Sequence, residues 1–453
     1  MQLQILEFIY KFVPSNMNKQ TNKIIFCMGK ENNLVLSFLL MLFICLTVSC
    51  NNKNKTLNLN VIPVASTVGN YKILNLSDYI TEIKYIPLET NDSVLIGRIS
   101  QISYENEKIL IKDAANLTYN CYLFDDKGNF CCKIGNYGQG PDDYLDIRHT
   151  FMLKNYIYLM DAIGSKLLIY NTKGFLVENN DLRIYEITEK NSEYYMYFHI
   201  FPLKKDTFVM NISSPFGYYP KAILLETDHS NSKIIREYQN YIKIDKKQPG
   251  GTICEFGNMY RFKDDVRTYK AINDTIFTID QSSEMKESFI FELDKFRPTL
   301  SFIEQKEPIA TSKNYIIPID IFESFDHLFI NFYFGNHAPE PYEFTNRIGL
   351  QTTNNDVYGV FNKNTGELSL MKQPIKGKFG FKNDIDSGPV IWPHYISSNN
   401  KLVTHISAEE FIDYYEKVEN PTPQMTEIAK NLKMDDNPIV IIAKLKEKDH
   451  GTD

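Results

Sequence analysis

Apolar and polar residues alternate along much of this chain with a period of two. In ILIKDAANLTYNCYLFDDKGNF (109–130) two short runs place apolar side chains on alternate positions, and IYLMDAIGSKLLIYNTKGF (157–175) does the same. Such alternation puts one face of a β-strand against a core. The segments Asp-Asp-Lys-Gly-Asn and Asn-Thr-Lys-Gly tolerate positive φ and so predict hairpin turns. Both stretches read strand, Asp, loop, strand, turn, aromatic, and the step from Asp113 to Asp161 is 48 residues. Weaker copies follow at YFHIFPLKKDTFVMNI and AILLETDHSNSKIIREY, at DTIFTID (274–280) with ESFIFEL (287–293), and at HLFINFYF (327–334) with VYGVFNKNTGELSLM (357–371).

Antiparallel meanders recurring without helices between them predict an all-β chain folded as a β-propeller. Setting aside a tether and a helical insert leaves about 340 residues, or six blades of about 57, with seven as the alternative. The helical period appears once, late in the chain. In SAEEFIDYYEKV, Ser407 and Glu410 form a capping box, and Phe411, Tyr414 and Tyr415 share a face. With QMTEIAKNLK this predicts a short insert over about 407–434. The apolar PIVIIAKLK then predicts a last strand that completes a blade begun by IKYIPLE (83–89), sealing the ring.

The N-terminus follows neither pattern. Residues 34–48, LVLSFLLMLFICLTV, are apolar apart from Ser37 and Thr47. The run falls short of the roughly 20 residues a membrane span needs and fits the core of a secretory signal. Thr47-Val48-Ser49-Cys50 resembles a bacterial lipobox, so residues 1–50 predict a signal segment with Cys50 as the lipidated residue. Met28 offers an alternative start. Polar NNKNKTLNLN predicts a flexible tether over 51–75, with the propeller over 76–453. The expected setting is a lipid anchor in the cell envelope, at the outer membrane. The basic start of the tether favours its periplasmic side.

Composition narrows the partners. The 453 residues carry 49 Lys and Arg against 56 Asp and Glu, a net charge of -7, so the chain lacks the basic footprint of a nucleic-acid binder. Hydrophobic residues make up 43%, enough to bury a core. None of the cysteines has zinc-ligand spacing. Cys121 and the vicinal Cys131 and Cys132 flank a predicted turn, where they are either buried free thiols or, after export, a disulfide.

IKYIPLET (83–90), LIGRIS (95–100), LFDDKGNFCCKIGNYGQGPDDY (123–144), AINDTIFTID (271–280) and NDIDSGPVIWPHY (383–395) together resemble the six-bladed β-propeller lipoproteins of Bacteroidota, relatives of the NHL-repeat propellers that carry a domain of unknown function. The resemblance runs from about residue 75 to the end, apart from 180–255. It implies a six-bladed ring and an outer-membrane setting, and it implies no activity.

Three groups of residues are candidates for chemistry. The glycines of Ile134-Gly-Asn-Tyr-Gly-Gln-Gly-Pro141 mimic a phosphate loop, but Asp142 and Asp143 follow in place of a helix, which points to a blade crossover. Asp113, Asp161 and Asp280 each end a strand. They could converge on a cation in the channel, or each could accept backbone N–H groups in the following turn. Asn383, Asp384, Asp386, Trp392 and His394 join two carboxylates, the sole Trp and a His, a set suited to holding an amphipathic ligand such as a sugar. Asp384 and Asp386 with His394 as proton carrier would also serve acid–base catalysis. No cofactor motif is present: neither a Gly-x-Ser-x-Gly elbow, nor a Walker loop, nor His-Glu-x-x-His occurs. The expected function is a non-enzymatic binding or scaffold module for a glycan, a peptide or an envelope partner. The alternative is a hydrolase or lyase with a funnel site on the propeller axis.

Overall fold

A computed structural model describes residues 60–447, except 116–118, 183–195, 214–221, 229–231, 240–256, 271–272, 304–306 and 347–348. The expected signal segment with Cys27, Cys45 and Cys50, and also Cys254, lie outside the described residues. Residues 59–453 form one compact unit.

Six antiparallel sheets make six blades, so the seven-bladed alternative is excluded. Blade 1 runs Ile99–Glu105, Lys108–Asp113, Asn120–Asp125 and Phe130–Lys133, from inner to outer strand. Blade 2 begins at Ile147–Leu153, blade 3 at Met196–Lys204, blade 4 at Gly257–Phe262, blade 5 at Ile317–Glu323 and blade 6 at Tyr395–Ile396. Each inner strand packs against the inner strand of the next blade, and the sixth packs against the first. The two repeats legible in the sequence are the second and third strands of blades 1 and 2 with the turn that follows. Core clusters sit between neighbouring blades. Leu110 and Leu123 of blade 1 meet Ile157, Leu159 and Leu168 of blade 2, and all five are at most 1% exposed. Apolar faces on both sides of each sheet explain why the middle strands are so uniformly apolar.

The ring closes as predicted. Ile80–Pro87 is the outer strand of blade 6 and pairs antiparallel with Ile439–Leu445 from the other end of the chain. The helical insert occupies the connection before that last strand. Its helices are Ala408–Tyr415, capped by Ser407 accepting from the Glu410 N–H, and Pro423–Asn431, capped by Thr422 accepting from the Met425 N–H. Phe411 and Met425 anchor them, both fully buried.

The expected tether over 51–75 is too long. Val61–Ile62 adds a parallel strand to the outer edge of blade 4, and Tyr71–Lys72 does the same on blade 5. Ile62 and Val64 are fully buried, which a solvated linker would not allow. The sequence hid this because VIPVAS and NYKIL are too short to show a period.

The thiols of Cys121, Cys131 and Cys132 are free, so the disulfide alternative is not realised. Cys121 is buried opposite Thr150, and burial pushes its thiol up to about 12. The glycine-rich stretch is a crossover from blade 1 to blade 2. Lys166 Nζ donates to the carbonyls of Gly140, Pro141 and Asp143, so this loop gathers oxygens around a cation and is the reverse of an anion cradle.

Candidate functional site

In four of the six blades the register between the inner strand and its neighbour slips by one residue. The slips fall between Ile99 and Gln101, Ile147 and His149, Tyr197 and His199, and Pro318 and Asp320. A bulge of this kind re-aims the side chain beside it. Gln101, His149, His199 and Asp320 all line a cavity of about 800 Å³ walled by residues from all six blades, which places it on the ring axis. His394 takes the same station at the head of blade 6, and Asn258 holds the matching register position in blade 4.

Part of this polar ring is held from blade to blade. Gln101 Oε1 accepts the Thr150 N–H of blade 2 at 3.1 Å, and His149 Nδ1 accepts the Ile200 N–H of blade 3 at 3.4 Å. The series stops there. Among the described residues His199 Nδ1 has no hydrogen-bond partner, and neither has Ser103 Oγ, which is 3% exposed, nor Nδ1 of His405 on the second strand of blade 6. All three residues line the cavity. Unpaired buried polar atoms cost about 1–3 kcal/mol each unless something reaches them.

The imidazoles come in pairs. The rings of His149 and His199 lie 5.0 Å apart, those of His394 and His405 4.8 Å apart. Burial pushes His199 down to about 4, with Lys112 adding to the effect, and burial followed by the neighbouring His394 pushes His405 down to about 3. Burial also holds His149 well below its ordinary range, and lowers His394 even though its ring is open to the cavity solvent. At neutral pH the cavity therefore presents uncharged imidazoles, each able to donate from one nitrogen and accept at the other.

Three of the four cavity carboxylates are engaged by the protein. Glu105 accepts from Tyr395 Oη at 2.7 Å, from the Ser398 N–H at 2.8 Å and from Ser398 Oγ, bolting blade 1 to blade 6. Glu323, whose side chain is wholly buried, pairs with Arg267 at 3.0 Å and Lys363 at 3.1 Å and also accepts from Tyr260 Oη. Asp264 pairs with Arg261 at 3.2 Å. Asp320 has no cation partner among the described residues. Aromatic walls complete the cavity, among them Phe151, Phe201, Phe262 and Tyr395.

Of the residues singled out in the sequence, His394 lines this cavity and Asn383, Asp384, Asp386 and Trp392 do not. Asp384 accepts from the N–H and Oγ of Ser77, at 2.9 and 2.6 Å. Asp386 is buried and accepts from Tyr85 Oη and from the Gly388 N–H, while Asn383 donates to Tyr85 Oη. These residues fasten the 383–389 turn to the N-terminal strands. Trp392, 5% exposed, stacks among Tyr358, Phe381 and Phe329 between blades 5 and 6. The two carboxylates and His394 thus do not converge on this cavity as an acid–base set.

The strand-ending aspartates do not converge on a cation either. Asp113 accepts from the N–H groups of Gly97 and Arg98, and Asp161 from those of Leu145, Asp146 and Gly164. Each clamps the crossover into its own blade. Asp280 is not their equivalent: it ends a third strand and accepts from the N–H groups of Ser282 and Glu284, as Asp125 and Asn171 do in blades 1 and 2. Among the described residues no group of three or more His, Cys, Asp or Glu side chains could hold a metal.

Of this polar ring the sequence pattern singled out only His394. A signal exists: Gln101-Ile-Ser, His149-Thr-Phe, His199-Ile-Phe, Asp320-Ile-Phe and His394-Tyr-Ile each place a polar residue four to six positions ahead of the first turn of their blades. The inner strands were the least similar parts of the repeat, so an alignment on the aspartates passed them over.

A family model described as a domain of unknown function, DUF4934, matches residues 59–444. The chain is similar in structure to a candidate exported protein of Bacteroides fragilis NCTC 9343, with TM-score 0.58 and 20% identity over 85% of this chain and all of that one. A member of the DUF4221 family from Bacteroides vulgatus ATCC 8482 gives TM-score 0.47 and 12% identity over 81% of this chain and 97% of the other. The virginiamycin B lyase of Staphylococcus aureus gives 0.37 and 11%, over 80% and 99%. At these identities the likeness is one of fold. No curated protein matches the chain.

Proposed function

The chain belongs to the DUF4934 family, whose activity is not known, so its role has to be argued from the cavity, and we propose that it is an exported binding module whose axial cavity takes a hydroxyl-rich ligand of the glycan class. The observation that carries this reading is the polar ring, Gln101, His149, His199, Asp320 and His394 with Ser103 and His405, which lines one space walled by aromatic rings. A sugar offers many hydroxyls that both donate and accept, together with apolar C–H faces that pack on aromatics. Neutral imidazoles, Ser and Gln match it better than they match a strongly charged ligand.

Export and anchoring belong to the same proposal. The apolar run 34–48 and Cys50 support a lipidated N-terminus that holds the ring at the outer membrane, facing the periplasm. Palmitate labelling of the chain in its host, lost on Cys50→Ala, is the expected result. Absence of label on the wild type refutes the anchor. For the ligand, the purified protein is applied to a glycan array, and His199→Phe, which replaces a polar lining residue by an apolar one, is expected to weaken any retained sugar at least tenfold. Retention of peptides from an envelope extract with no retained glycan would replace the glycan reading by a peptide one.

A further inference from the structure

Asp320 differs from the other acids of the cavity. Glu105 and Glu323 have both oxygens occupied, and Asp264 has its arginine. Asp320 is held by one group, the side chain of Asn331 beside it in register on the second strand of blade 5. No cation pairs with it among the described residues. A carboxyl group can accept about four hydrogen bonds, so its capacity toward the cavity is unspent.

Its orientation is set from outside the cavity. Trp392 Nε1 donates to Asn331 Oδ1 at 2.6 Å. An indole nitrogen can only donate, so this contact fixes the amide: Oδ1 faces Trp392, and Nδ2 is left to donate to Asp320. Trp392 is itself wedged by Tyr358, Phe381 and Phe329. The bulge after Pro318 places Asp320 directly beside Asn331 in the register. A packed indole, an oriented amide and a carboxyl group thus form a line that ends in the cavity.

We propose that Asp320 is the carboxylate that receives a ligand hydroxyl in the axial cavity, and that Trp392 and Asn331 are its positioning residues. This rests on the glycan reading and deepens it, naming the ligand group that is recognised as a hydrogen-bond donor. The contact needs the ionised carboxylate. Burial raises Asp320 from its ordinary range and the Asn331 donation opposes the rise, so binding weakens as pH falls through this raised value. The titratable and charged groups on the elements around it are His327 and Tyr333 on the second strand of blade 5, Asp356 and Tyr358 on its third, Tyr260 and Arg261 on the inner strand of blade 4, Tyr395 of blade 6 with His394 ahead of it, and Glu323 on its own strand.

The test uses an array of neutral oligosaccharides read from pH 7 down to pH 4, with the purified wild type, Asp320→Asn and Trp392→Phe. Expected are a wild-type signal that falls with acidity, at least tenfold weaker binding with no carboxyl inflection in Asp320→Asn, and an inflection moved to higher pH in Trp392→Phe, because a freed Asn331 amide no longer holds its donation on Asp320. Carboxyl carbon NMR of Asp320 reads the same upward movement in Trp392→Phe without any ligand. Unchanged affinity and pH profile in Asp320→Asn would overturn this inference while leaving the cavity reading in place. An unmoved Asp320 titration in Trp392→Phe overturns the positioning role. Retention of no sugar by the wild type overturns both this inference and the reading beneath it.

Discussion

Acidification should loosen this ring through two histidines, by an amount that can be worked out. His199 titrates at about 4 and His405 at about 3 in the folded protein, while an unfolded histidine titrates near 6.5. Between those values the unfolded chain binds protons that the native one refuses, so stability is fully present above about pH 6.5 and is lost as pH falls. At pH 5 both native imidazoles are still neutral, and the loss is set by the unfolded side alone: about 2 kcal/mol per histidine. Two of them remove about 4 kcal/mol, a large share of the roughly 5–15 kcal/mol that holds a typical domain together. Asp113, Asp320 and Asp356, which burial raises, work in the opposite sense and gain stability as they protonate. The histidine share is therefore isolated by comparison with His199→Gln/His405→Gln, in which it is absent. Urea unfolding of both proteins at pH 7 and pH 5 is the assay. The wild type is expected to lose about 4 kcal/mol more than the double variant. Equal losses in the two would refute the reasoning and mean that water already solvates these rings in the folded state.

Further outcomes follow from the geometry. Glu323→Gln strips a wholly buried partner from Arg267 and Lys363 and should cost about 3–5 kcal/mol in the same assay. Gly128 has φ +88°, and a Cβ there would lie 2.1 Å from the carbonyl oxygen of Pro87 in the closing strand. Gly128→Ala should therefore lower the melting temperature markedly, by strain of about 1–3 kcal/mol or more, and a melting temperature within a degree of wild type would contradict the contact. Calcium at millimolar concentration should leave the melting temperature unchanged, because Asp113, Asp161 and Asp280 spend their oxygens on backbone N–H groups.

The architecture was largely legible because the middle strands of each blade, buried on both faces, are short apolar runs set between hairpin turns. Asp113 and Asp161 marked the repeat for a physical reason, since each must clamp the crossover that begins its own blade. The site was less legible. Trp392 drew attention as the sole tryptophan, yet it reaches the cavity only through Asn331, a residue 61 positions earlier that no local pattern links to it. His149 and His199 owe their place beside each other to bulges at Arg148 and Phe198, and a bulge of one residue leaves no periodic trace. His394 was found, though in company with Asp384 and Asp386, which belong to a structural turn.

The pairing of Ile80 with Leu445 also dictates when the ring can exist. During synthesis Ile80–Pro87 emerges early and must wait, with its partner edge unfilled, until Ile439–Leu445 has followed. A polypeptide cut short between Ile406 and Ile439 would carry all six inner strands and still lack the strand that joins blade 6 to Ile80–Pro87. Closure of the ring thus waits for the last strand, and a product truncated before it is left with an exposed sheet edge that sets it apart from a finished one.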